Sequence, residues 1–431
     1  MFRGGVIVKT KAVRLHGRND IRLEEFELPE IRDDQILARI VSDSVCMSSH
    51  KAALQGTDHK RVPKDISEHP VVLGHEFCGV LVKVGRKYAD RFPEGRRFTV
   101  QPALNWAGGP VGIHSAPGYS YEFFGGDATY VVIPPEVMER DCLLLHEGDS
   151  FFSGSLAEPL SCIIGAFHSN YHTEPETRAV TFGIRQAGAT AILAGAGPMG
   201  LAAIDYALHR KTRPGLLVVT DMDAGRLERA ASFFPETEAR RCGVDLRFVD
   251  VSRMPDPVAG IRAMTSGKGF DDVFVFAPVP ALIEQADAIL GHDGCLNFFA
   301  GPTKTDFKAS INFYNLHYNA THMLGTSGGN KDDLVEALGM IRGNELDPAV
   351  LVTHIGGLDS VPQTVLDLDR IPGGKKLIYT GIRLPLTAIA DFPSLASGSA
   401  LFAELGRITR TRNGLWCREA EEYLLANAPS I

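Results

Sequence analysis

The sequence predicts an α/β protein in which a doubly wound parallel sheet is inserted into a β-rich, barrel-like domain. Up to about residue 160 the chain runs in short alternating or β-branched segments punctuated by Gly, Pro and Asp, as many short strands and turns require. Between about 160 and 300, apolar strand runs alternate with helical runs, the pattern of crossover-connected parallel strands. Beyond about 330, strand and helix signals resume, so both ends of the chain are expected to build the outer domain. The expected division is 1–165 for the first part of the outer domain, 166–326 for the inserted domain, and 327–431 for the return and a C-terminal helical tail.

In chain order, strands are expected at Val6–Leu15, Ile21–Leu28, Gln35–Val45, Phe77–Val84, Arg97–Pro102 and Ala128–Ile133. Ser161–Tyr171 reads as a helix. Thr190–Ala194 is a short apolar strand, followed by a glycine-rich turn and a helical run to about Leu208. Leu216–Thr220, Asp272–Ala277 and Cys295–Ala300 read as strands, with Asp223–Phe233 and Ala281–Leu290 as helices between them. The return reads helix (Lys331–Ile341), strand (Val350–Ile355), helix (Ser360–Asp369) and strand (Lys376–Tyr379). Two tail helices follow, at Ala400–Thr409 and Cys417–Ala426.

Composition narrows the function classes. A chain of 431 residues holds two or three domains and a large core without disulfide staples. Lys and Arg number 44 against 52 Asp and Glu, a net charge of -8, so no basic excess points to nucleic acid or an anionic membrane surface. The 7 cysteines are scattered with no Cys-x-x-Cys pair, which reads as reduced thiols in a cytoplasmic protein. The N-terminal stretch has no apolar core of signal-peptide length. Ala187–Ile204 and Phe98–Tyr121 lack Asp, Glu, Lys and Arg, but Gly, Pro and polar residues interrupt both, so neither is expected to span a bilayer.

Gly195, Gly197 and Gly200, with Pro198 and Met199 between them, form G-x-G-x-x-G between a predicted strand and a predicted helix. The first Gly permits the tight turn and the second lets backbone approach a pyrophosphate. The third allows close helix–strand packing, and the helix N-terminus favours the phosphate charge. The next strand ends at Asp221, whose carboxylate can accept hydrogen bonds from a ribose hydroxyl and repel a 2′-phosphate. That favours NAD, with NADP as the alternative. Asp223 is a rival for the ribose, and Arg226 could reach an adenine face or a phosphate.

Cys46 ends one predicted strand, Gly74-His75-Glu76 lies between two others, and Glu158 precedes the inserted domain. One thiolate, one imidazole and a carboxylate would make a three-ligand zinc site with an open fourth position for water, alcohol or carbonyl.

Five features occur in one order: Cys46-Met47-Ser48, Gly74–Gly79, Gly125–Val132, Glu158–Ser161 and Gly195–Gly200. As a set they resemble the medium-chain, zinc-dependent alcohol and polyol dehydrogenases, over residues from about 10 to 382. The resemblance implies a GroES-like β-barrel catalytic domain around a Rossmann domain. It implies Cys46 and His75 as zinc ligands, Glu76 or Glu158 as the third, and Ser48 as the first hydroxyl of a proton relay. It also implies a homodimer or homotetramer. Two departures stand out. Where many relatives carry a relay His five residues after the Cys, this chain has Lys51, and the His is His50. Thr99–Tyr130 contains no cysteine, whereas many relatives bind a structural zinc there with four.

The segments Asp306–Tyr318 and Gly325–Gly329 and the tail after Gly381 resemble the L-sorbose-1-phosphate reductases, which interconvert a ketose phosphate and a hexitol phosphate. A phosphorylated substrate needs an anion anchor. His50, Lys51, Lys304, Lys308 and the loop after Gly325 are candidates by charge or backbone N–H supply. The alternatives are a dehydrogenase of an unphosphorylated polyol or secondary alcohol, and, in a different class, a dinucleotide-binding protein that has lost catalysis. Because the four-cysteine cluster is missing, metal analysis of the purified protein is expected to return one zinc ion per chain. Two would show a second site.

Overall fold

The computed structural model describes residues 8–431. Val6 and Ile7 of the first expected strand lie outside the described residues. The chain divides into two compact units: Met1–Glu158 with Ala337–Gly343 and Leu351–Ile431, and Pro159–Glu336 with Asn344–Val350.

The first unit is β-rich. Strand Ile36–Val45 is its hub, pairing antiparallel with Phe77–Val84, Tyr130–Ile133 and Lys375–Tyr379. These strands belong to an 8-stranded sheet, beside a 3-stranded sheet of Lys9–Gly17, Asp20–Glu27 and Val71–Val72. The hub strand is buried along nearly its whole length, Ser42, Asp43 and Ser44 included, with only Arg39 exposed. Phe77 packs edge-on against Phe124 at 5.7 Å and Phe98 at 6.3 Å in one of this unit's cores. Burying each such ring contributes about 1.5–3 kcal/mol.

The second unit holds a 6-stranded sheet. Its spatial order is Asp245–Asp250, Leu216–Asp221, Ala189–Leu193, Phe270–Val275, Leu290–Phe298, His322–Gly325, all paired parallel. Numbered along the chain this is 3-2-1-4-5-6, the doubly wound dinucleotide order, with its switch point beside Ala189–Leu193. Two of these strands escape the sequence reading. Asp245–Asp250 sits at one edge, with Leu246 and Val249 buried three positions apart among Asp and Arg, a pattern without period 2 and too polar to signal a strand. His322–Gly325 at the other edge is only 4 residues long.

A larger difference lies at the helix expected over Ser161–Tyr171, which runs Phe151–Ser169 with Pro159 inside it. A proline reads as a helix start or break, so the first turns, which carry Glu158, looked like loop. The start is capped from far away in sequence. Glu421, on the tail helix Arg418–Asn427, accepts from Phe151 N at 2.6 Å and Phe152 N at 2.8 Å. Its carboxylate also accepts from Tyr379 Oη at 2.9 Å, and Trp416 Nε1 donates to that hydroxyl at 2.7 Å. The tail therefore satisfies the orphan amides at the start of the helix that presents Glu158. No helix among the described residues is long and apolar enough to cross a membrane, and none of the seven cysteines forms a disulfide.

Glu421→Ala is expected to destabilise the first unit by about 1–3 kcal/mol, the cost of leaving buried donors unsatisfied. The check is the midpoint of thermal or urea unfolding. An unchanged midpoint would show that the cap does not hold the helix.

Candidate active site

Three side chains of the first unit converge. Cys46 is the N-cap residue of helix Met47–Gln55, its backbone extended at φ -110° and ψ 148°. His75 and Glu76 enter the strand Phe77–Val84. One ligand atom each from Cys46, His75 and Glu76 lies within 4.8 Å of the others. His75 and Glu76 are buried.

The turn at Gly74 exists because two carboxyls crowd it. Gly74 has φ +87°, and a Cβ there would stand 2.1 Å from Asp43 Oδ2 and 2.6 Å from Asp127 N. Asp43 Oδ1 accepts from Glu76 N at 3.0 Å. Burial and the neighbouring charges push Asp43 well above the carboxylate range, and burial pushes Asp127 up to about 6. Of the two, Asp43 is raised further, so it is the carboxyl that stays protonated.

Lys375, on strand Lys375–Tyr379, pairs with Glu76 Oε1 inside the protein, both side chains being almost wholly buried. Burial alone would raise the Glu76 carboxyl, but the Lys375 ammonium overrides it and holds the carboxyl below its ordinary range. Reciprocally, Glu76 and Cys46 overcome the burial of Lys375 and hold its pKa above the usual value. Burial pushes the Cys46 thiol up against the opposing pull of Lys375, and holds the His75 imidazole down and neutral. Glu158 lies outside the 4.8 Å group but within electrostatic reach of it. Burial and the Glu76 charge push Glu158 up to about 7.

A hydroxyl chain borders the cluster. Ser48 Oγ donates to Cys46 Sγ at 3.0 Å and lies 3.3 Å from His75 Nε2. Tyr119 Oη donates to Ser48 Oγ at 2.7 Å. Burial drives Tyr119 well above its ordinary pKa, so it stays a protonated donor. His50, offered by the sequence as an anion anchor, is excluded. It is buried and its Nδ1 is 2.7 Å from the Val365 carbonyl, tying helix Met47–Gln55 to helix Val361–Leu366.

In the second unit, the glycine turn joins strand Ala189–Leu193 to helix Pro198–His209. A Cβ on Gly200 would meet the Gly195 carbonyl at 1.9 Å, which makes this close crossing a glycine position. Gly197 is the helix N-cap, with no side-chain cap bond and nothing within 4 Å of where a Cβ would stand. Pro198 has no N–H, and the N–H groups of Met199 and Gly200 meet no capping side chain. Asp221 Oδ2 accepts from Ala196 N at 3.1 Å and Oδ1 from Met222 N at 2.8 Å, so the carboxylate also ties the turn to its strand. The rival Asp223 is spent as an N-cap, accepting from Arg226 N at 3.0 Å, and the Arg226 guanidinium lies 3.6 Å from the same carboxylate. Lys304 and Lys308 are exposed.

The donor set fits a zinc ion. Thiolate, imidazole and carboxylate are its usual ligands, and Glu76 Oε2 is buried with no hydrogen-bond partner. A lone carboxylate oxygen facing a thiol and an imidazole is an arrangement a divalent cation satisfies. The turn at Gly197 likewise fits a pyrophosphate, since an uncapped helix start offers unspent N–H donors.

Lys375 and Tyr119 escaped the sequence reading. The available signals were two adjacent lysines heading an apolar strand, and a long charge-free loop without cysteines. Neither says which partner the residue meets.

The chain belongs to the zinc-binding alcohol dehydrogenase family: residues 32–140 match the alcohol dehydrogenase GroES-like domain and residues 198–342 match zinc-binding dehydrogenase. It is an oxidoreductase. It is 48% identical over 419 residues to mannitol-1-phosphate 5-dehydrogenase of Aliivibrio fischeri, covering 97% of this chain and 98% of that one. It is 47% identical over 422 residues to L-sorbose 1-phosphate reductase of Klebsiella pneumoniae, 98% of each. The solved structure of 2R,3R-butanediol dehydrogenase from Bacillus subtilis shares the fold, with TM-score 0.69 and 22% identity over 86% of this chain and 99% of that one.

Cys46→Ser is expected to lower the zinc content of the purified protein while leaving cofactor binding, read by metal analysis and NADH fluorescence. Full zinc retention would remove Cys46 from the ligand set. In metal-free protein, Lys375→Met leaves Glu76 buried and unpaired, a loss of about 3–5 kcal/mol. Zinc would offset it, so the melting-temperature gap between metal-free and zinc-loaded forms should widen relative to wild type. Equal gaps would show that Lys375 does not balance the Glu76 charge.

Proposed function

We propose that the protein interconverts a ketose phosphate and a hexitol phosphate by hydride exchange with NAD(H), in the manner of an L-sorbose-1-phosphate reductase. The observation that carries this is the Cys46–His75–Glu76 cluster in a chain nearly half identical, along almost its whole length, to two enzymes named for sugar phosphates. The β-rich unit is the catalytic half. The doubly wound unit is the cofactor half, with Gly195–Gly200 on the pyrophosphate and Asp221 on the ribose.

A zinc ion held by Cys46, His75 and a carboxylate from Glu76 or Glu158 would supply Lewis-acid polarisation of the substrate oxygen, while the nicotinamide supplies or accepts the hydride. In the oxidative direction Ser48 Oγ would accept the proton of the substrate hydroxyl while passing its own to Tyr119 Oη, which releases its proton outward in turn and so stays protonated. Lys375 offsets the negative charge of Glu76, so that carboxylate remains ionised in a buried site, and its field opposes the burial that raises the Cys46 thiol. Glu158, neutral for part of the time near pH 7, adds a second carboxyl that can exchange with Glu76.

We further read the protein as a cytoplasmic homo-oligomer binding one zinc per chain. Thiols outside any disulfide support the compartment. Phe313, Tyr314 and Tyr318, all largely exposed on helix Phe313–Tyr318, support a subunit contact.

Steady-state turnover of L-sorbose 1-phosphate, mannitol 1-phosphate and their unphosphorylated counterparts, each with NAD(H) and NADP(H), tests the reading. Phosphorylated substrates with NAD(H) should give the highest kcat/KM. Equal or better turnover of the free polyols would favour a polyol dehydrogenase, and no turnover of any would favour a protein without catalysis. Asp221→Ala should raise the NADPH-to-NADH ratio of kcat/KM by about tenfold. An unchanged ratio would place the discrimination elsewhere.

A further inference from the structure

The sugar-phosphate reading leaves one chemical demand unmet by the metal cluster, namely cations for the phosphate. His50 is consumed inside the fold. Arg61, which the sequence reading passed over, stands beside the cluster. Its guanidinium carbon lies 5.7 Å from the centre of the Tyr119 ring, and the His75 ring lies 4.9 Å from the same ring. The guanidinium and a metal-ligand candidate therefore border one aromatic ring.

The arrangement is built rather than incidental. Ser120 Oγ donates to the Arg61 carbonyl at 2.6 Å and accepts from Ala116 N at 3.1 Å, so the loop carrying Tyr119 is pinned to the backbone of Arg61. Val62, next in the chain, is buried in the core. The Arg61 side chain spends one N–H on the His114 carbonyl at 3.3 Å, and among the described residues no carboxylate pairs with it. A half-buried guanidinium with unspent donors is matched to a phosphate, which it can bind through two parallel N–H···O bonds. Lys51 lies on helix Met47–Gln55 three residues past Ser48, hence on the same face one turn on. Its ammonium is within electrostatic reach of Cys46.

His59 registers the local field. Its ring stacks on Tyr119 at 5.7 Å and 14°. Burial, and then the charges of Arg61, Lys60 and Lys51, hold it down at about 4. Positive potential of that kind, beside the reacting centre, attracts a dianion and repels a cation.

We infer that Arg61, with Lys51, anchors the phosphate of a phosphorylated ketose or hexitol whose reacting carbon lies at the Cys46–His75–Glu76 cluster. The inference rests on the sugar-phosphate reading and names the residues that would make it specific. An unphosphorylated polyol offers the Arg61 guanidinium no dianion, so Arg61 discriminates by binding and not by chemistry.

The test compares mannitol 1-phosphate with mannitol, and L-sorbose 1-phosphate with L-sorbose, in wild type, Arg61→Ala, Arg61→Lys and Lys51→Met. In Arg61→Ala the preference for the phosphorylated partner, as a ratio of kcat/KM values, should fall by at least about tenfold. The loss should appear in KM for the phosphorylated compound, with partial recovery in Arg61→Lys and a smaller loss in Lys51→Met. A wild-type preference that survives Arg61→Ala unchanged overturns the anchor and leaves the sugar-phosphate reading standing. A wild type without any preference overturns that reading, and the anchor with it. Should Arg61→Ala not fold, inorganic phosphate decides on the wild-type enzyme and Arg61→Lys. Competitive inhibition against the sugar phosphate that weakens in Arg61→Lys supports the anchor, and inhibition that is absent or equal in both overturns it.

Discussion

The site depends on one buried ammonium. Cys46, Glu76 and Glu158 are acidic groups gathered where water is scarce, and each would be neutralised by its own burial if left alone. Lys375 changes that balance. Its pairing with Glu76 keeps one carboxylate charged inside the fold, and its field opposes the burial of the Cys46 thiol. A charge deleted from one side of such a pair strands the other, so the lysine and the ligand carboxylate form one electrostatic unit. The geometry follows from the sheet: Lys375 heads the strand that pairs with Ile36–Val45, and Cys46 directly follows that hub strand.

Around this unit the chain trades the usual anchors of such a centre for local ones. The loop between Thr99 and Tyr130 carries no cysteine, and it is held instead by its own hydrogen bonds, Ser120 to Arg61 and Gly126 N to the Gly74 carbonyl at 2.7 Å. Because that loop is pinned, Tyr119 reaches Ser48 and His75 together, and Arg61 packs against the same ring. Behind the cluster, burial keeps Asp43 protonated, so two carboxyls sit against Gly74 without a second cation. The tail closes the arrangement by capping the helix that bears Glu158.

Much of the fold was legible because it is written locally. Phe77–Val84 and the Ala189–Leu193 strand follow from β-branched runs between turn residues, and Gly195–Gly200 follows from a crossing so close that a Cβ on Gly200 cannot fit. Cys46, His75 and Glu76 were legible as types in an order, and the fold brings their ligand atoms within 4.8 Å. Less was legible where context overrides local pattern. The helix Phe151–Ser169 runs through Pro159, and its first amides are satisfied by Glu421 from the other end of the chain. The edge strand Asp245–Asp250 carries two Asp and one Arg among its six residues, and it is its parallel pairing with Leu216–Asp221 that makes it a strand.

By itself the sequence determined the periodicities, the glycine turn and the set of metal-ligating residue types. These depend on neighbours along the chain and on the bond-making capacity of each side chain. Only the tertiary structure decided which charges meet. It sent His50 into the core, set Lys375 against Glu76, spent Asp223 on a helix cap, and placed Arg61 and His75 beside one aromatic ring. Electrostatic partners are chosen by distance in space and by the local dielectric, and both arise only when strands far apart in sequence pair and exclude water.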